Sequence, residues 1–215
     1  MTAESFTERL DTIAATIRRA FERKDAAREK ALPLSREAIR YCSLSIRAIH
    51  RRQLNEAGSL LAKAESLIHE AASSIDACDE LSNISFFRDA QKEYAEGRIT
   101  LAVIAGRPIP SPEDLNVDSV AYLNGMGEVI GELRRYILDG LRQGDLSRAE
   151  ELLGIMDAIY EILVTMDFPD AITGNLRRTT DMVRGILEKT RSDLTLTLRQ
   201  QRLEEQLSVF QQRPQ

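Results

Sequence analysis

The 215 residues contain no tryptophan, only 5% aromatic side chains, 11 glycines and 6 prolines. Strand-rich folds draw on aromatic and β-branched residues and on frequent turn formers, so this poverty points away from sheets and towards helices. The two cysteines, Cys42 and Cys78, have no second cysteine or histidine cluster nearby. That pattern excludes a disulfide framework and a zinc site, and both are read as reduced helix-packing residues. The two histidines, His50 and His69, lack a glutamate three residues earlier, which removes the Glu-x-x-His pairs of a di-iron bundle. Glycine-rich phosphate loops, nucleophile elbows and Cys/His pairs are missing as well. Long apolar runs are also lacking: the most apolar stretch, residues 101–106, is far too short to span a bilayer, and the N-terminus is charged and amphipathic rather than signal-like. A soluble, cytoplasmic protein is expected.

What is present is a 43% hydrophobic content, carried mostly by Leu, Ile and Ala and sufficient for a sizeable core. A single helical domain over residues 1–215 is the default, with a flexible tail from about 207. Apolar positions at three- and four-residue steps predict helices over 5–24, 25–52, 54–79 and 84–105, with Pro33 either kinking the second or marking its first turn. Three prolines mark 106–118 as a long loop. Asp118 is the expected N-cap of a fifth helix, whose apolar stripe is Leu123, Met126, Ile130, Leu133, Ile137 and Leu141. Gly144 followed by Asp145 predicts a helix end and, at once, the cap of a sixth helix reaching 165. Phe168-Pro169 interrupts before a last helix over 174–206. The expected fold is an all-α bundle of seven helices.

Net charge is −5, which speaks weakly against a nucleic-acid partner, but its distribution is uneven. Residues 18–52 hold eleven Lys/Arg against four Asp/Glu, whereas residues 53–174 hold nine against twenty-two. In the basic zone, Arg36, Arg40, Arg47 and Arg51 fall on a stripe roughly 60° wide on a helix turning about 100° per residue. Ser43 and His50 lie beside it, and Ile39, Cys42, Ile46 and Ile49 form the neighbouring apolar face. Guanidinium forks suit phosphate oxygens, so the stripe reads either as a nucleic-acid backbone track or as a solvated face paired with acidic neighbours.

In the acidic zone, Glu93 and Glu96 stand at i, i+3 and Glu128 and Glu132 at i, i+4, spacings that put each pair on one helix face. Like charges there repel, and a hard divalent cation reverses the sign of the interaction. The alternative is pairing with cations, Lys92 with Glu96 and Arg135 with Glu132. Gly125, Gly127 and Gly131 surround the second pair at a helix-propensity cost of about 1 kcal/mol each, which calls for close approach by another backbone or a ligand.

Several strings resemble those of translin and its partner, translin-associated factor X, over nearly the whole chain. REKALPLSREAIRYCSLSIRAIHR (28–51) and QKEYAEGRIT (91–100) are similar to the family's second and fourth helices. YLNGMGEVIGELRR (122–135) followed by GDLSRAEELL (144–153) is similar to the next pair in order and spacing. The resemblance implies a seven-helix fold assembling into a hollow homo-octamer around single-stranded RNA or DNA. Its nuclease-competent branch places a metal-dependent cleavage site on residues matching Glu93, Glu96, Glu128 and Glu132, so the chain looks closer to factor X than to translin. One departure is that the family pattern has aspartate where Glu128 stands, and the extra methylene alters metal geometry. The function so implied is a Mg²⁺- or Mn²⁺-dependent endoribonuclease, with Arg36, Arg40, Arg47 and Arg51 as the RNA-facing surface. The alternatives are a non-catalytic single-stranded RNA/DNA-binding protein and a helical adaptor for protein partners.

Overall fold

The computed structural model describes residues 3–76 and 84–211, and among these every regular element is a helix. In chain order they are α1 (Ala3–His50), α2 (Leu54–Asp76), α3 (Ser85–Ile104), α4 (Pro112–Leu115), α5 (Ser119–Arg142), α6 (Ala149–Thr165), α7 (Asp170–Thr173) and α8 (Leu176–Gln211). Cys78 and the expected end of the third helix at residue 79 lie outside the described residues. Among the described residues no helix is long and apolar enough to cross a membrane. The chain divides into two compact units, Met1–Tyr94 and Ala95–Gln215, and the division falls inside the unbroken helix α3.

In the first unit, the two helices expected over 5–52 are one 48-residue helix. Nothing between Arg23 and Ala27 stops a helix, and Pro33 removes only a single i to i−4 hydrogen bond. Helix α1 then packs against α2 along a regular seam. Its seam positions are Ala31, Ser35, Ala38, Cys42, Ser45 and Ile49, with Ala48 also buried beside the last; those of α2 are Ala57, Leu61, Ala64, Ile68, Ala71 and Ile75. Both sets alternate steps of four and three, the 3.5-residue period that keeps one seam turned towards a partner helix. Small residues dominate, so the backbones approach closely, and the Ser35 and Ser45 hydroxyls donate back to the carbonyls of Ala31 and Cys42 at 2.9 and 2.8 Å. Arg52, at φ 61°, reverses the chain between the two helices. The first half of α1 is different: Phe6, Leu10, Ile13, Ile17 and Phe21 are 43–62% exposed.

In the second unit, α5, α6 and α8 pack on one another. The core holds Met126, Ile130, Leu133 and Ile137 of α5, Leu152, Met156 and Leu163 of α6, and Leu176, Val183 and Leu187 of α8. Asp118 caps α5 as expected, accepting from the Val120 and Ala121 amides at 2.7 and 3.4 Å. Asp145 does not cap α6. It accepts instead from the Ser147 amide and hydroxyl at 3.2 and 2.6 Å, closing a local turn after Gly144 (φ 73°), and α6 begins only at Ala149. A side chain that bonds two residues ahead competes with helix entry. The 106–118 connection contains the short α4, closed by reciprocal Ser111 and Asp114 hydrogen bonds of 3.1 and 2.9 Å. The amide and hydroxyl of Ser111 hold the Asp114 carboxyl below its usual range. Helix α8 runs to Gln211 rather than 206, because residues 197–213 contain no glycine or proline to stop it.

Two glycines of α5, Gly127 and Gly131, stand in different surroundings. A Cβ on Gly127 meets the Thr179 methyl of α8, with Leu163 and Val183 3.6 and 3.7 Å away, so helix packing accounts for it rather than a ligand. A Cβ on Gly131 meets nothing within 4 Å. Urea denaturation should separate them. Gly127→Ala should lower stability, overpacking costing about 1–3 kcal/mol against a helix-propensity gain of about 1. Gly131→Ala should raise it by up to about 1 kcal/mol.

Candidate metal centre

Helix α3 carries Glu93 and Glu96 one turn apart on one face, and α5 carries Glu128. Each offers one carboxylate oxygen, and these three oxygens all lie within 4.8 Å of one another. Glu96 is buried at 8% exposure, whereas Glu93 and Glu128 are half-buried. Three carboxylates this close repel unless cations lie among them. Oxygens on opposite sides of Mg²⁺ stand about 4.2 Å apart at its ~2.1 Å bond length and around the larger Ca²⁺ roughly 5 Å, so a limit of 4.8 Å is within the span of the larger ion and would have to close by a few tenths of an ångström for the smaller. The donor set is all oxygen, which favours Mg²⁺, Mn²⁺ or Ca²⁺ over zinc or copper.

The fourth glutamate of the expected set does not join them. Glu132 lies one turn beyond Glu128, and its Oε2 is 4.0 Å from Arg135 Nη1, the cationic pairing that its spacing allows. Lys92 Nζ stands 3.6 Å from Oε1 of its chain neighbour Glu93. The glutamate side of α5 is not simply a solvent face, since Ala121 and Gly125 on that side are buried.

Contacts that sequence reasoning did not identify set the register of these helices within the second unit. Arg148, at the start of α6, donates to the carbonyls of Ile104 and Val103 at 2.7 and 3.1 Å, satisfying the open C-terminal end of α3. The same guanidinium holds both oxygens of Glu151 at 3.0 and 2.8 Å. That hydrogen-bonded pairing holds the Glu151 carboxyl below its ordinary range and pushes the Arg148 guanidinium higher still. The Tyr122 hydroxyl of α5 donates to the Pro110 carbonyl at 2.7 Å and pins the connection from α3; burial, then the Asp114 and Glu113 charges, pushes this phenol up. Asn124 donates to the Thr173 carbonyl at 3.1 Å and accepts from the Thr179 hydroxyl at 2.8 Å, while Arg134 reaches Thr190 and Asp193 of α8 at 3.0 and 2.7 Å. The only advance signal was the Arg148 to Glu151 spacing of three residues.

The basic stripe on α1 is exposed as expected: Arg36, Arg40, Ser43, Arg47 and Arg51 all face out, while Cys42 and Ile49 are buried and Ile39 and Ile46 half-buried. Arg40 pairs with Glu37 at 3.4 Å and lies 5.3 Å from the Tyr41 ring, and Arg51 Nε donates to the Arg47 carbonyl at 3.2 Å.

No family model matches the sequence. The fold and the paired helices nevertheless align with solved structures over most of both chains. AfC3PO in complex with duplex RNA is 35% identical, with a TM-score of 0.76, covering 86% of this chain and 95% of that one. A crystal structure of AfC3PO is 34% identical, with a TM-score of 0.75 and coverage of 86% and 96%. The chain belongs to the C3PO/translin family. Apo-NeC3PO, 21% identical with a TM-score of 0.73 over 87% and 96% of the two chains, shares the fold. An uncharacterized protein of Methanocaldococcus jannaschii is 31% identical over 193 residues, 87% of this chain and 84% of its own length. Membership places the all-α architecture of the two AfC3PO structures on this chain.

If the three carboxylates hold a divalent ion, the protein should melt higher in Mn²⁺ than in EDTA. At a hundredfold excess over Kd the gain is about 2.7 kcal/mol. Glu96→Gln and Glu128→Gln should each remove most of that gain in a calorimetric scan, and Glu132→Gln should keep it.

Proposed function

We propose that this chain is a divalent-metal-dependent endoribonuclease of the factor X branch, cutting single-stranded RNA within a closed homo-oligomer, an octamer by family resemblance. The observation that carries the reading is the convergence of Glu93, Glu96 and Glu128 from two helices to within 4.8 Å. RNA as the polymer is supported by the similarity to AfC3PO, described in complex with duplex RNA. The preference for single strands rests on the family resemblance.

In this reading the three glutamates hold Mg²⁺ or Mn²⁺, and Glu132 is the nearest further carboxylate on α5. A bound ion of this kind polarises a phosphodiester and lowers the pKa of water towards neutrality. Glu96, the most buried of the three, anchors the set; Glu93 and Glu128 complete it from the half-buried side. Arg36, Arg40, Arg47 and Arg51 line an exposed face suited to phosphates, which carries no information on base identity. Assembly is supported by the exposed apolar stripe of Phe6, Leu10, Ile13, Ile17 and Phe21, which has the spacing of a helix face that packs on another helix.

Purified protein should cut labelled single-stranded RNA in Mg²⁺ or Mn²⁺ and spare it in EDTA. Glu128→Gln should slow cutting about a hundredfold or more, roughly 2.7 kcal/mol in the barrier. RNA bound but uncut in either metal would leave the non-catalytic binding protein as the function. The double substitution Arg40→Glu/Arg47→Glu should weaken binding in a salt titration and flatten the slope of log K against log salt by about 1.4, the loss of two single-strand phosphate contacts. An unchanged slope places the track elsewhere.

A further inference from the structure

Thr100, on α3, has a hydroxyl with no hydrogen-bond partner although the residue is 1% exposed. Burying a hydroxyl without a partner is unfavourable, and a helical threonine has an easy remedy: it turns its oxygen back to the carbonyl four residues earlier. Thr12, Thr16, Thr180, Thr190, Thr195 and Thr197 all do this, at 2.7–2.9 Å. Thr100 does not, although the same carbonyl, that of Glu96, lies one turn below it.

Its place on the helix sets Thr100 on the same face as the two glutamates. At about 100° per residue, Thr100 falls between the two glutamates of α3, roughly 40° from Glu96 and 20° from Glu93 around the axis. Helical side chains lean towards the N-terminus, so Thr100 leans towards the turn that bears Glu96. Glu96 and Thr100 are both buried, and Glu128 of α5 brings its carboxylate to the same spot. Thr100 adds a neutral hydroxyl to that face of α3. It stands one turn beyond Glu96 on the same side of α3. Hard ions such as Mg²⁺ keep several waters, each a strong donor in need of an acceptor.

We propose that Thr100 is a positioning residue of the carboxylate centre, accepting a hydrogen bond from a water bound to the divalent ion held by Glu93, Glu96 and Glu128. The inference rests on the metal reading given above and extends it to a residue that is not itself a ligand. Outer partners of this kind commonly change metal affinity by about ten- to a hundredfold when removed.

The test is Mn²⁺ binding to the full chain, followed by electron paramagnetic resonance of free Mn²⁺ and by calorimetry, without RNA. Thr100→Val keeps the branched shape and removes the acceptor; it should bind Mn²⁺ about tenfold or more weakly, while its melting temperature in EDTA stays at or above that of the wild type. Thr100→Ser restores a hydroxyl and should recover most of the affinity. Wild-type affinity in Thr100→Val overturns the proposal, provided Glu128→Gln loses Mn²⁺ in the same assay. Failure of the wild type itself to bind Mn²⁺ overturns the metal reading and this inference with it. Should Thr100→Val not fold, Thr100→Ala decides: wild-type affinity overturns the proposal, and a tenfold loss rescued by serine upholds it.

Discussion

Three carboxylate oxygens within 4.8 Å are a load that the surrounding helices have to be built to bear. Charged carboxylates at that distance repel unless cations offset them, as Lys92 beside Glu93 does in part, and Glu96, nearly buried, has little water to screen it. Helices held only by diffuse apolar contact would rotate by a few degrees and let the charges separate. The second unit instead ties both helices with directional bonds. Arg148 grips the last carbonyls of α3 while chelating Glu151, Tyr122 fastens the intervening connection at Pro110, and Arg134 and Asn124 lock α5 to neighbouring segments. None of these groups belongs to the carboxylate set, yet each restricts one of the motions by which the set could relax.

Close approach is the second requirement, and small side chains meet it. In the first unit, alternating alanine and larger residues along α2 oppose alanine, serine and cysteine along α1, so the seam is tight without bulky knobs. In the second, Gly127 lets α5 come against Thr179 of α8.

Much of this was legible in the residues, and the failures share a cause. Periodicity located most of the helices because each buries a stripe, and Asp118 and Phe168-Pro169 marked real boundaries. The reading broke α1 at Lys24–Asp25, where a polar interval looked like an end; without glycine or proline, a helix simply continues through polar residues. Asp145 has the side chain of a cap, but it spends its oxygen on Ser147, a choice made by the turn after Gly144. The convergence of Glu93, Glu96 and Glu128 was anticipated because helical spacing and family resemblance agreed on them. Arg148 and Thr100 escaped notice because their roles depend on groups distant in sequence or on a bond not made, and periodicity records neither.

The position of Glu132 bears on how many carboxylates such a centre can use. Its spacing from Glu128 promised a fourth ligand, whereas the structure sets its Oε2 4.0 Å from Arg135. For a hard octahedral ion three carboxylates are sufficient, because about three of its six positions then remain for water or phosphate oxygens. A fourth anionic ligand would fill one of those positions and add negative charge opposite an incoming phosphodiester. With Glu132 beside a surface arginine, Glu93, Glu96 and Glu128 are three carboxylates that, if they hold a hard ion as proposed, would leave positions for water or phosphate oxygens.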